Sequence, residues 1–287
     1  MNKYITLGLI TMILIISSVN AISIFNNKES YNLKINEQKS TILTNTVFIE
    51  ESTATWCPNC PIAAEALHNL YQSGNLTFYY VALVDDMNTL AKERALDYCF
   101  GIYKIHAFPT IYLDGGYINM VGRGSNVQET QSAYRSLIEQ AEQRTTRKPI
   151  TMESSVIFDN TAKITVSITI INQGNSPYLG KIRSYVTEIE SRWKDSSGNN
   201  YHYGFLDFAL NKFIFLKPGE TKTLSGTFDG TSDHGGQTYL DITSDNIMVI
   251  STISNFIPHY NIGYQSDQYT QRYFAFYVDQ ITAANPN

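Results

Sequence analysis

Along the first half of the chain, apolar runs of strand length alternate with stretches of helical spacing, and past Pro149 the spacing changes to a period of two. Val47-Phe48-Ile49 is fit for a buried strand, and Ile62, Ala63, Ala66, Leu67, Leu70 and Tyr71 then recur at helical spacing. Phe78 to Val84 is a second apolar run, and Thr89 to Phe100 a second helical stretch. Thr110 to Leu113 and Tyr117 to Val121 flank Asp114-Gly115-Gly116, a hairpin signal. Asn126 and Glu129 offer a capping box for a last helix carrying Ala133, Tyr134, Leu137, Ile138 and Ala141 on one face. Residues 46–147 therefore predict an α/β domain.

The second half reads differently. Ile164, Val166, Ile168 and Ile170 alternate with Lys163, Thr165, Ser167 and Thr169, the pattern of a half-buried antiparallel strand. Further strands are expected near Ile182–Glu190, Tyr201–Phe208, Phe213–Leu216, Thr221–Phe228, Tyr239–Ile242, Ile247–Ile253 and Tyr273–Val278, with turn signals such as Asp195-Ser-Ser-Gly-Asn between them. So many short strands predict an all-β sandwich of immunoglobulin-like kind over residues 150–287, one that lacks a cysteine pin. It carries no catalytic constellation, and its role is a binding or spacing module, or a cap on the first domain.

The amino-terminal residues 1–21 hold Lys3, an apolar centre from Ile5 to Ile16, and small residues up to Ala21. This is a signal peptide or a retained membrane anchor, and either reading places the rest of the chain outside the cytoplasm. Residues 22–45 are polar and aperiodic, a tether. With 21 Lys+Arg against 26 Asp+Glu the net charge is −5, and the short run Arg144–Lys148 is the densest basic stretch. A sequence-independent grip on nucleic acid is excluded on that balance.

Three cysteines, Cys57, Cys60 and Cys99, are too few for a disulfide-stapled scaffold. Trp56-Cys57-Pro58-Asn59-Cys60 stands where the first strand turns into the first helix, and Phe108-Pro109-Thr110 enters the hairpin strand. In that order the motifs resemble the thioredoxin superfamily over roughly residues 43–147. The resemblance implies a central mixed sheet with flanking helices, a Cys57–Cys60 disulfide, a cis Pro109 that packs against it, and an extended substrate strand held beside Trp56, Pro58, Asn59, Phe108 and Thr110. Glu51, six residues before Cys57, matches the buried acid that members of the family use as a proton acceptor. Two positions depart from the family pattern. Pro58-Asn59 replaces the Gly-Pro of reducing thioredoxins, and no Lys occupies Phe78–Val84, so the direction of electron flow stays open.

The chemistry fits the residues. Orphan N–H groups and the positive dipole end at a helix start stabilise a thiolate, which makes Cys57 the nucleophile. Cys60, one turn inward, resolves the mixed disulfide. Glu51 lies in a mostly apolar run, where desolvation raises its pKa and lets it take the proton of Cys60. Three other readings of the pair stand beside this one: half of a zinc site, a purely structural disulfide, and the thiols of a metal- or haem-maturation chaperone. Cys99 reads as a small buried hydrophobe, His68 as solvated, and His202, His234 and His259 as ordinary polar residues.

The expected function is an exported thiol-disulfide oxidoreductase with no cofactor. Its expected partners are exported protein substrates and a redox partner, with membrane contact through the amino-terminal segment. The alternative is a non-catalytic cell-surface binding or adhesion protein in which the thioredoxin-like part is a scaffold.

Overall fold

The computed structural model describes residues 45–99, 107–159, 161–265 and 270–286. The expected signal or anchor and nearly all of the tether lie outside them.

The first half supplies β1 (Val47–Thr53), α1 (Cys60–Gln72), β2 (Phe78–Val84), α2 (Thr89–Leu96), β3 (Thr110–Leu113), β4 (Ile118–Val121) and α3 (Val127–Glu142). β1 pairs parallel with β2 and antiparallel with β3, and β3 pairs with β4. The hairpin between β3 and β4 needs positive φ at Asp114, Gly115 and Gly116 in succession (49°, 71° and 89°). A Cβ on Gly115 would also sit 2.3 Å from the carbonyl oxygen of Phe276, so glycine is required there twice over.

All seven residues of β1 are buried because both faces of the sheet are covered. Val47 and Ile49 pack with Leu67 and Leu70 of α1 and Tyr134 and Ile138 of α3. Phe48 faces the other way, with Ala91 and Ala95 of α2. Period two in β1 therefore assigns Glu50 to the α2 face and Glu51 to the face of α1 and α3.

The second half supplies β5 (Ile150–Asp159), β6 (Lys163–Asn172), β7 (Tyr178–Lys194), β8 (Asn200–Leu216), β9 (Thr221–Asp229), β10 (Ile247–Asn255), β11 (His259–Gln265), β12 (Thr270–Ala275) and β13 (Val278–Ala284). β5, β6 and β9 form a three-stranded sheet, and β11 pairs with β12. The other strands join the first half in one eight-stranded mixed sheet of order β13-β10-β7-β8-β2-β1-β3-β4. The seam is β8 running parallel to β2 with Ala82 opposite Gly204. A Cβ at Gly204 would fall 2.3 Å from the Ser191 hydroxyl oxygen, so the packing of Ser191 of β7 against β8 there depends on glycine.

This corrects the expectation of a separate immunoglobulin-like sandwich. Two sheets do face each other, with Val156, Ile164, Val166 and Ile168 against Ile182, Val186, Leu210 and Ile253. One of those sheets, however, is the continuation of the first half's own sheet, and Leu43–Asn287 is one compact unit. The architecture of the described residues is a multi-sheet, β-rich fold with three α-helices and a mixed sheet.

Several finer expectations also change. Tyr201–Phe208 and Phe213–Leu216 are parts of one seventeen-residue strand. Tyr239–Ile242 is not a strand: its buried residues are Tyr239 and Ile242 at its two ends, Leu240 is 64% exposed, and the Tyr239 N–H closes a turn onto Gly230. The expected strand Tyr273–Val278 divides between β12 and β13. The second helix ends at Leu96, and Phe100 lies outside the described residues.

Candidate functional site

β1 ends at Thr53, and the chain turns at once: the Cys57 N–H donates to the Ala54 carbonyl at 3.1 Å, and the Cys60 N–H donates to the Cys57 carbonyl at 3.3 Å. Cys60 is the first residue of α1, with Pro61 beside it in the first turn, where no intrahelical N–H is needed. Cys57 therefore precedes the helix by three residues instead of opening it. The two sulfurs are joined as a disulfide with the Cα atoms 5.4 Å apart. Cys57 and Cys60 are buried and pack with Ala54 and Phe108.

Around the disulfide, Trp56 is 64% exposed, and its ring meets Phe108 edge to face at 5.7 Å. Pro58 and Asn59 are exposed. The Phe108–Pro109 peptide bond is cis, as the resemblance implies. Thr110 is buried, with its hydroxyl donating to the Ala107 carbonyl at 2.7 Å, and the Pro109 carbonyl accepts from Gly122 N–H at 2.7 Å. Arg123 donates to the Asn59 side-chain oxygen at 2.9 Å and to the Gly124 carbonyl at 2.6 Å. Cys57, Cys60, Trp56 and Phe108 are thus brought together from positions up to 52 residues apart in sequence.

Glu51 is 1% exposed, and its Oε1 has no hydrogen-bond partner among the described residues. Burial, reinforced by the charge of Asp195, pushes its pKa up to about 8. It lies on the face of the sheet covered by α1, the helix that Cys60 begins. Burial raises the hydroxyl pKa values of Tyr80 and Tyr134, and the nearby Glu51 adds to the shift.

Glu50 is not the solvated strand-end acid that its polarity suggests. It is fully buried against α2, where Arg94 donates to both of its oxygens at 2.7 Å and Tyr185 donates to Oε1 at 2.9 Å. Tyr98 donates to Oε2. His68 is likewise not simply solvated: its ring stacks on His202 at 3.5 Å and its Nδ1 lies 2.9 Å from the Tyr80 hydroxyl. Cys99 is buried, as expected.

The second half contributes residues that sequence reasoning missed. Ser196, in the turn between β7 and β8, donates its hydroxyl to the Cys57 carbonyl at 2.9 Å. Tyr201 accepts from the Thr53 hydroxyl at 2.9 Å and donates to the Ala54 carbonyl at 3.0 Å. Asp195 of the same turn accepts from the N–H groups of Ser197 and Asn199 at 2.8 and 3.0 Å. The available signal was the turn pattern Asp195-Ser-Ser-Gly-Asn, which marks a reversal without telling what the reversal touches.

Among known structures the chain is similar to HBP35 of Porphyromonas gingivalis, with 13% identity over 85% of this chain and 76% of that one and a TM-score of 0.57. A structural-genomics protein of Agrobacterium tumefaciens aligns at 13% identity over 84% of this chain and 94% of that one, with a TM-score of 0.45. A domain of the outer membrane lipoprotein Omp28 from Porphyromonas gingivalis aligns at 13% identity over 49% of this chain and 89% of that one, with a TM-score of 0.28. No family model and no curated protein matches. At this identity the likeness to HBP35 is one of fold.

Proposed function

We propose that the chain is a thioredoxin-like, exported thiol-disulfide oxidoreductase acting on extracytoplasmic proteins. The observation that carries the reading is a buried Glu51, one of whose carboxylate oxygens has no hydrogen-bond partner among the described residues and whose pKa is raised by burial, on the sheet face covered by the helix that begins at Cys60 of the Cys57–Cys60 disulfide. Ordinary structural disulfides require no such acid.

Acting as a reductant, the Cys57 thiolate attacks one sulfur of a substrate disulfide, forms a mixed disulfide, and releases the first substrate thiolate. The Cys60 thiolate then attacks the Cys57 sulfur, which frees the second substrate thiolate and leaves Cys57–Cys60 oxidised. Two electrons pass to the substrate, and Glu51, ionised above pH 8, accepts the proton of Cys60. Run backwards, the same steps oxidise substrate thiols. Exposed Trp56 offers a flat contact for the substrate chain, with the Phe108 ring set edge-on beside it and Pro109 and Thr110 buried behind. Export rests on the amino-terminal segment. No helix among the described residues is long and apolar enough to cross a membrane.

The test is the reduction potential of the Cys57–Cys60 pair against glutathione in a Cys99→Ser background, together with partner trapping by Cys60→Ser. A potential near about −270 mV means a reductant, and one near about −120 mV an oxidant. A pair that never equilibrates, with nothing trapped, overturns the proposal in favour of a surface binding protein with a structural disulfide.

A further inference from the structure

On the α2 face, where the start of β7 meets the ends of β8 and β10, lies a cavity of about 200 Å³. Phe213, Phe256 and Phe276 line it, with Lys181, Arg183 and Asn255 as polar lining. Phe213 is 63% exposed and Phe256 44%. Their rings meet edge to face at 5.2 Å, and Phe256 stacks on Phe276 at 5.5 Å. An exposed aromatic cluster that folds inward around a void is the usual form of a small-molecule site.

The charges around it do not cancel. Arg94 is neutralised by Glu50 at 2.7 Å. Asp97, also held by Arg94 at 3.0 Å, is the one carboxylate among the described lining residues, and it stands 3.8 Å from Arg183, beyond hydrogen-bond reach. Lys181 has no carboxylate within ion-pair distance among the described residues; its ammonium lies 5.3 Å from the centre of the Phe213 ring. Two cations against one acid leave a positive excess at the mouth. Burial and then the neighbouring Arg183 hold the Lys181 pKa below its ordinary value, against the opposing charge of Asp97. Lys181 and Arg183 stand two residues apart on β7 and so present their cations on one face.

We propose that this cavity binds a small aromatic carboxylate, with its ring among Phe213, Phe256 and Phe276 and its carboxylate on Lys181 and Arg183. The size fits a one- or two-ring body, since a void of about 150 Å³ already holds benzene. The carboxylate supplies the missing counter-charge, and a guanidinium suits its geometry.

The test is calorimetric titration of the full-length protein with 1-naphthoate, with 1-naphthamide as its neutral counterpart. Saturable binding of 1-naphthoate is expected, weakened by about tenfold or more in Lys181→Gln and in 1-naphthamide. Phe213→Ser, a change at an exposed ring, should weaken it comparably. Arg183 is mostly buried, so Arg183→Gln is read only if its thermal unfolding matches the parent; Lys181→Gln and Phe213→Ser carry the test otherwise. Absence of saturable binding, equal binding of the amide, or unchanged affinity in Lys181→Gln overturns the proposal. A Cys57→Ser, Cys60→Ser chain should bind 1-naphthoate as the parent does, so the outcome is independent of the redox reading.

Discussion

The hydroxyl of Ser196 donates to the carbonyl oxygen of Cys57 at 2.9 Å, across 139 residues of sequence. Together with Tyr201, which ties Thr53 to Ala54, it makes the turn between β7 and β8 a brace for the loop that carries the disulfide. Tyr201→Phe strips a buried carbonyl and a buried hydroxyl of their partner, at a cost of about 1–3 kcal/mol. Ser196→Ala, at a partly exposed bond, should cost about 1 kcal/mol or less. Denaturant unfolding of both variants checks this, and equal, negligible effects would mean the turn is not a brace.

Glu51 makes stability fall as pH rises. Its folded pKa of about 8 lies above the ordinary 4.5, so the folded state holds the proton more tightly. The contribution is fully present below pH 4.5 and is lost as pH rises through about 8, with a slope of at most about 1.4 kcal/mol per pH unit. Asp85, also raised to about 8 by burial, adds to the parent's slope in the same direction. The difference between the parent and Glu51→Gln isolates Glu51: the variant should show a shallower decline across this window. Parallel curves would mean that Glu51 is already ionised in the folded state.

Removing one partner from the Glu50–Arg94 pair leaves a buried charge behind. Arg94→Met should destabilise the fold by about 3–5 kcal/mol, since Tyr98 and Tyr185 would be left to hold a fully buried carboxylate. Thermal unfolding measures the loss, and a near-neutral outcome would show that the buried pair contributes no net stability.

His68 should titrate far below an ordinary histidine. Burial first, and then the stacked His202, push its pKa down to about 4. A histidine that is neutral when folded makes stability drop on acidification from 6.5 toward about 4, and His68→Gln should lessen that drop. Titration of the imidazole proton resonances reads the pKa directly, and a value near 6.5 would mean that the stack opens in solution.

The elements of the first half, the Cys57–Cys60 spacing and the apolar setting of Glu51 were legible in the sequence because each has a local signal, a period or a short spacing, whereas the cis Pro109 was implied only by the resemblance to the thioredoxin superfamily. The second half was legible as strands but not as lengths. Register shifts in the β7–β8 pairing, between Ser184 and Tyr185, between Val186 and Thr187 and again between Glu190 and Lys194, break the period of two and make one long hairpin read as several short strands. Only the full length of β1, to Thr53, turns Glu50 and Glu51 to opposite faces, with Arg94 on one side and an apolar layer on the other. Nor does any local pattern bring Gly204 against Ala82, His202 onto His68 or Ser196 to Cys57. Those contacts are set by which sheet edge β8 occupies, a choice made by burial and packing across more than a hundred residues, where only the tertiary structure decides.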